Sequence, residues 1–199
     1  GLFYVFEVPN SLLALNMPAL VNILPHYTYD DYCKWEGRWE IIDGIPYAMS
    51  PAPSLRHQWV SGNIIRELGN ALKAAKCNDG CKVYNFIDIK ITEDTVVQPD
   101  ASLVCGETPK LFLDFPPAIV VEILSPSTQI KDRNAKFDCY QKFGVRYYLM
   151  VDVNTNLVDI YYLADGRNYS RQFPDDTNSF TFRLNDHCGL TLLLDKIWE

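Results

Sequence analysis

Residues 118–124 read Ala118-Ile119-Val120-Val121-Glu122-Ile123-Leu124, apolar at every position but one. A run without alternation is the mark of a strand covered on both faces, at the centre of a sheet with layers on either side. Glu122 is then an ionisable group inside a core. In its charged form it carries a desolvation cost on the order of several kcal/mol unless a cation or strong hydrogen bonds offset it. Its partner is therefore expected to be a metal ion or a lysine.

Working backwards, Thr95 to Cys105 is a second β-rich run containing Val96-Val97-Gln98-Pro99-Asp100, and Val83 to Ile91 is a third, with Ile87, Ile89 and Ile91 alternating. If these strands pair with 118–124, Asp100 and Glu122 point to one end of the sheet. Before them, Val60, Ile64, Leu68, Ala71, Leu72 and Ala75 recur at helical spacing, which predicts a helix of about five turns with Ser54 as its N-cap. Trp39 to Met49 reads as a hairpin about Asp43-Gly44, and Pro46 assigns its strand to an edge.

Working forwards, Ser125-Pro126-Ser127-Thr128 leads into a helix from about Ile130 to Phe143, stopped by Gly144. A strand from Arg146 to Val153 follows, then one from Leu157 to Leu163, then weaker strands near Tyr169, Phe180–Leu184 and Leu190–Leu194. The fold class is α/β in the broad sense, an α+β mixed sheet with core order αβββαβ, an N-terminal β-hairpin and additional C-terminal strands.

Within 199 residues, no apolar run approaches the roughly 20 needed to span a bilayer. The expectation is no membrane partner. Six cysteines are scattered without a CxxC pair and read as reduced, which points to a cytoplasmic location. A zinc site on Cys77, Cys81 and one of His26, His57 or His187 has only a weak C-x3-C signal behind it. The net charge of −7 argues against coating nucleic acid through bulk electrostatics. A local basic face nevertheless exists, where Lys131, Arg133, Lys136, Lys142 and Arg146 outnumber Asp132 and Asp138. The tryptophans Trp35, Trp39 and Trp59 read as core or interface.

Asp100 and Glu122 are the hard oxygen donors that Mg2+ takes, through one or two carboxylates with water and phosphate completing the shell. The plainer reading makes Asp100 a turn residue and Glu122 a buried acid paired with a lysine. His57, near a helix start, is a candidate for phosphate contact or proton transfer, against a surface role.

Pro99-Asp100 followed by Glu122-Ile123-Leu124-Ser125-Pro126-Ser127-Thr128 resembles the Uma2 family (DUF820) of restriction-endonuclease-like proteins. Also similar, in order, are Tyr27-Thr28-Tyr29-Asp30-Asp31-Tyr32, Trp39-Glu40-Ile41-Ile42-Asp43-Gly44, Met49-Ser50-Pro51-Ala52-Pro53 with Arg56-His57-Gln58, Lys131-Asp132-Arg133, Lys136, Tyr140 and Gly144-Val145. The likeness runs from about Tyr27 to Asp165.

The resemblance implies a PD-(D/E)XK nuclease fold and a metal-dependent endonuclease acting on DNA. The cofactor would be Mg2+, with Mn2+ as a substitute, and no organic cofactor is expected. Metal ligands would be Asp100, Glu122 and the Ile123 carbonyl, with Glu40 as a third acid. Leu124 stands where the superfamily carries lysine, and Lys136 is the implied replacement, on one helical face with Asp132 and Tyr140. His57, Lys131, Arg133 and Tyr140 are the expected substrate contacts, with packing against the sheet as the other reading of Tyr140 and an exposed ion pair with Asp132 as the plainer reading of Lys136.

Residues 1–24 read as an N-terminal leader, partly disordered or packed on a partner, and 25–199 as one nuclease-like domain. Cutting both strands of a duplex asks for two sites, hence a homodimer. The rival reading is a nuclease fold that no longer cuts and serves as a binding or regulatory module, for which Leu124 is the best argument.

Overall fold

The computed structural model describes residues 25–49, 52–76, 80–125 and 132–199. In chain order these form α1 (Tyr29–Tyr32), β1 (Trp39–Ile42), β2 (Ile45–Ala48), α2 (Leu55–Ala75), β3 (Lys82–Tyr84), β4 (Ile89–Thr92), β5 (Thr95–Val97), β6 (Ala101–Val104), β7 (Ile119–Leu124), a π-helical turn (Asp132–Lys136), α3 (Phe137–Phe143), β8 (Tyr147–Asp152), β9 (Leu157–Leu163), β10 (Tyr169–Gln172), β11 (Ser179–Arg183), β12 (Gly189–Leu193) and a 3-10 turn (Leu194–Ile197). The leader, residues 1–24, lies outside the described residues.

The central sheet has the order β10-β9-β8-β7-β6-β3. It is mixed: β7 and β8 run parallel, and the other neighbours are antiparallel. Strand β7 lies inside it and is buried at all six residues, as a run that is apolar on both faces apart from Glu122 predicts. Its odd positions, Ile119, Val121 and Ile123, pack with Val60, Ile64 and Leu68 of α2 and with Phe182, Leu190 and Leu192 of the β11–β12 hairpin. Its even positions, Val120 and Leu124, pack with Tyr140 of α3 and with Ile42, Ile89 and Val97 of the second sheet. That second sheet, ordered β2-β1-β5-β4, closes the face on which Glu122 stands.

The hairpin forms as the sequence reads. Asp43 and Gly44 both take positive φ, 51° and 76°, the turn that an Asp-Gly pair supplies. Pro46 sits in β2 at the sheet's edge, where its missing N–H costs no ladder bond. The oxygen Oγ of Ser54 accepts the His57 N–H at 3.2 Å and caps α2. Gly144, with φ 94°, ends α3.

Two of the expected strands are each divided between the sheets. The 83–91 run breaks at Phe86, whose φ of 52° turns the chain out of β3 and towards β4. The 95–105 run breaks at Gln98-Pro99-Asp100, because proline has no N–H to continue a ladder. β5 then belongs to the second sheet and β6 to the central one. The second helix also differs in part: its first turn is π-helical, and Ile130 lies outside the described residues.

The cysteine reading needs correction. Cys81 and Cys105 are joined by a disulfide, with Cα atoms 3.9 Å apart. They stand one step beyond the Lys82↔Val104 pair of β3 and β6, so the antiparallel register itself brings them together. Cys188 is disulfide-bonded as well, while Cys33 and Cys139 are free. Cysteine usage therefore gives no support to a cytoplasmic location, and with Cys81 engaged the weak zinc pattern loses a ligand.

Trp35 and Trp39 do pack together, with ring centroids 5.3 Å apart. Trp59 does not join them; it is 60% exposed on the outer side of α2. Among the described residues no helix is long and apolar enough to cross a membrane.

Candidate active site

The break at Pro99 builds the site. β5 pairs with β1 through Val96↔Ile41, and after the three residues Gln98-Pro99-Asp100 the chain enters the central sheet as β6 beside β7. This crossing brings the β1 acid, Glu40, to the face of the sheet that carries Glu122. Register does the rest: Ala101 pairs with Val121, so Asp100 stands opposite Glu122 one step beyond the end of β6. The expectation that both carboxylates gather at one sheet end agrees with this register.

Asp100 is tied in place rather than loose. Its Oδ2 accepts the backbone N–H of Ile123 at 2.7 Å and lies 3.4 Å from His57 Nε2. His57 is on the first turn of α2 and is buried, so its side chain faces Asp100 and not the solvent. An N–H and a C=O of one strand residue point towards the same neighbour. The Ile123 carbonyl therefore leaves β7 on the side of Asp100.

Lys136 holds the centre. It is the last residue of the π-helical turn, is 1% exposed, and places Nζ 2.6 Å from Glu40 Oε1 and 2.7 Å from Glu122 Oε1. Three elements distant in sequence thus meet on one ammonium. This differs from an exposed helix lysine paired with Asp132, the plainer alternative for that position. Glu122 Oε1 also accepts the Tyr140 hydroxyl at 2.7 Å, one turn further along. Glu40 Oε1 accepts the Gln98 backbone N–H at 2.9 Å.

Each buried carboxylate is therefore met by donors, the condition under which charge survives in a core. Burial, then the charges of Glu122 and Glu40, push the Tyr140 phenol well above its ordinary pKa, so it stays a donor. Tyr140 is wholly buried, donates to Glu122 and packs on Tyr148 of β8 at 5.1 Å between ring centroids, which agrees with packing against the sheet and not with a substrate contact. Lys131 and the side chain of Arg133 lie outside the described residues.

Among the described residues no group of three or more His, Cys, Asp or Glu is close enough to hold a metal ion. The donor set is two opposed carboxylates and a carbonyl, which suits a cation that keeps water and phosphate in its shell. It does not suit a closed protein cage.

The sequence reading overlooked Gln98. Its backbone N–H fixes Glu40, its Oε1 accepts Arg38 Nε at 3.0 Å, and its Nε2 reaches Asp88 Oδ1 at 2.5 Å. Its place next to Pro99-Asp100 was the available signal.

Comparison with known proteins points the same way. Residues 28–185 match the model of the Uma2 family, described as "Putative restriction endonuclease". An uncharacterized protein of Synechocystis sp., slr1290, is 30% identical over 151 residues, covering 71% of this chain and 76% of its own. The crystal structure of a "putative nuclease belonging to DUF820" from Anabaena variabilis superposes with a TM-score of 0.68 at 15% identity, over 86% of this chain and 97% of that one. At that identity the superposition speaks for the fold alone, while the extent of the family match assigns the chain: it belongs to the Uma2 family.

Proposed function

We propose that the chain is a Mg2+-dependent endodeoxyribonuclease, with Mn2+ as a substitute, working as a homodimer so that both strands of a duplex can be cut. The observation that carries this reading is the meeting, at Glu122 of β7, of Asp100, opposite it just before β6, and of Lys136, from the turn before α3. Asp100, Glu122 and the Ile123 carbonyl would hold the cation. When bound, it supplies Lewis acidity and positive charge at the scissile phosphate.

The other residues set the stage. Lys136 stands in for the lysine that position 124 lacks, holding Glu122 and Glu40 and adding fixed positive charge behind the reacting centre. Tyr140 and the Gln98 N–H donate to the same Oε1 atoms of Glu122 and Glu40 that Lys136 holds. His57 holds Asp100 on the side facing α2. Lys131 and Arg133, in the basic stretch ahead of Lys136, are the proposed phosphate contacts beyond the site.

The test is purified protein on supercoiled plasmid with Mg2+ and with chelator. Nicked and linear products with Mg2+ alone are expected. DNA binding without any cleavage would favour the rival reading of a non-cutting module, for which Leu124, buried in the hydrophobic core two residues beyond Glu122, is the structural argument.

Tyr140→Phe probes the support shell. One hydrogen bond to a charged acceptor is lost while Lys136 stays, so urea unfolding should show about 1.5–3 kcal/mol less stability. Metal affinity in calorimetric titration should weaken by about tenfold, as for other loss of a ligand's supporting hydrogen bond.

A further inference from the structure

One guanidinium beside the carboxylates has no role in the chemistry above. Arg38 precedes β1 by one residue and Glu40 by two, and strand alternation puts the side chains of 38 and 40 on the same face. Its Nε donates to Gln98 Oε1 at 3.0 Å. Gln98 cannot turn away, because its Nε2 donates to Tyr32 Oη at 3.0 Å and to Asp88 Oδ1 at 2.5 Å, and its backbone N–H holds Glu40. The guanidinium is therefore fixed to the same residue that fixes a candidate active-site acid.

A second support comes from Phe86. Arg38 Cζ lies 4.1 Å from the centroid of its ring. Phe86 holds φ at 52°, a region that bulky residues avoid, and its side chain remains 37% exposed. A strained, partly exposed aromatic lies against a fixed cation at the edge of the site.

The donors of Arg38 are not used up. Of the five N–H groups on a guanidinium, the Gln98 bond takes one, and among the described residues no carboxylate lies within ion-pair distance of it. Its Nη2 is buried with no hydrogen-bond partner among the described residues. A permanently charged fork of this kind, pre-oriented by Gln98 and with donors to spare, matches a phosphate group.

We propose that Arg38 binds a backbone phosphate of the DNA strand flanking the scissile one. Gln98 holds the guanidinium through Nε, and the partly exposed Phe86 ring that lies over it moves aside as the strand seats, opening Nη2 to a phosphate oxygen. The inference rests on the nuclease reading, because the phosphate belongs to that substrate.

The experiment is binding of a short DNA duplex by the parent, Arg38→Met and Arg38→Lys, in Ca2+ to prevent cleavage, from about 50 to about 200 mM salt. Arg38→Met should bind about tenfold more weakly on every sequence, with the slope of log K against log salt shallower by about one. Arg38→Lys should keep the slope but lose several-fold in affinity, because a point charge replaces the fork. A residue that only supports the fold would lower the melting temperature without moving the slope. If Arg38→Met does not fold, Arg38→Lys decides: parent affinity overturns the proposal.

Plasmid cleavage is read alongside. A parent that cuts DNA while its salt slope ignores Arg38 overturns the phosphate contact alone. A parent that binds through Arg38 and never cuts overturns the nuclease reading and leaves the contact standing. A parent that neither binds nor cuts overturns both.

Discussion

Asp100→Asn should lose Mg2+-dependent cleavage by on the order of 10³-fold or more, at or beyond the upper end for loss of a single preorganised stabiliser of developing charge, and should still fold. The side chain is nearly the same size, and its remaining oxygen can accept the Ile123 N–H that Asp100 Oδ2 accepts at 2.7 Å. What disappears is the negative charge of one of the two proposed carboxylate ligands, on a cation that binds through few protein groups. Glu122→Gln should behave alike in cleavage and differ in stability. Lys136 keeps Glu40 at 2.6 Å, so that variant replaces a buried triad by a buried pair. Plasmid nicking by either variant at the parent rate, with unchanged melting, would remove these carboxylates from the site.

Much of this site was legible because each clue was local. An acid inside an apolar strand stands out whatever surrounds it, and the period of α2, the Asp-Gly hairpin and the stop at Gly144 follow from backbone preferences a few residues long. The division of 95–105 between two sheets was less legible, although Pro99 marks the break. Nothing local says that β5 pairs with β1 while β6 pairs with β7.

That crossing is what brings Glu40 towards Glu122, so the role of Glu40 came from family resemblance and not from pattern. The disulfide was illegible for a similar reason. Cys81 and Cys105 are 24 residues apart and meet only through the register of β3 on β6. Lys136 was brought to the site only as the family's stand-in for the lysine missing at 124, and its burial and its two carboxylate partners were hidden. A lysine flanked by Asn134, Ala135 and Asp138 looks like a solvent-facing helix residue until the second sheet closes over it.

That burial changes what Lys136→Met should do. Were Lys136 a surface stabiliser of charge, the variant would lose rate and keep its stability. Here Nζ lies within 2.7 Å of two carboxylates that are themselves buried. Removing the ammonium leaves Glu40 and Glu122 facing each other without it, and breaking a buried pair in this way costs about 3–5 kcal/mol. The expected outcome is a double loss: urea unfolding at a clearly lower midpoint, and cleavage slower by on the order of 10²-fold or more in whatever fraction remains folded. The two losses separate in the Glu40→Gln background, where one repelling charge is gone. Stability should recover in part there, and the rate should not. Leu124→Lys offers the complementary test, because Leu124 stands on the same face of β7 as Glu122, two residues on. An ammonium at that position would restore part of the rate to Lys136→Met if the cation's place matters and its element of origin does not. Parent stability together with parent cleavage in Lys136→Met would show that this buried lysine serves neither the fold nor the chemistry.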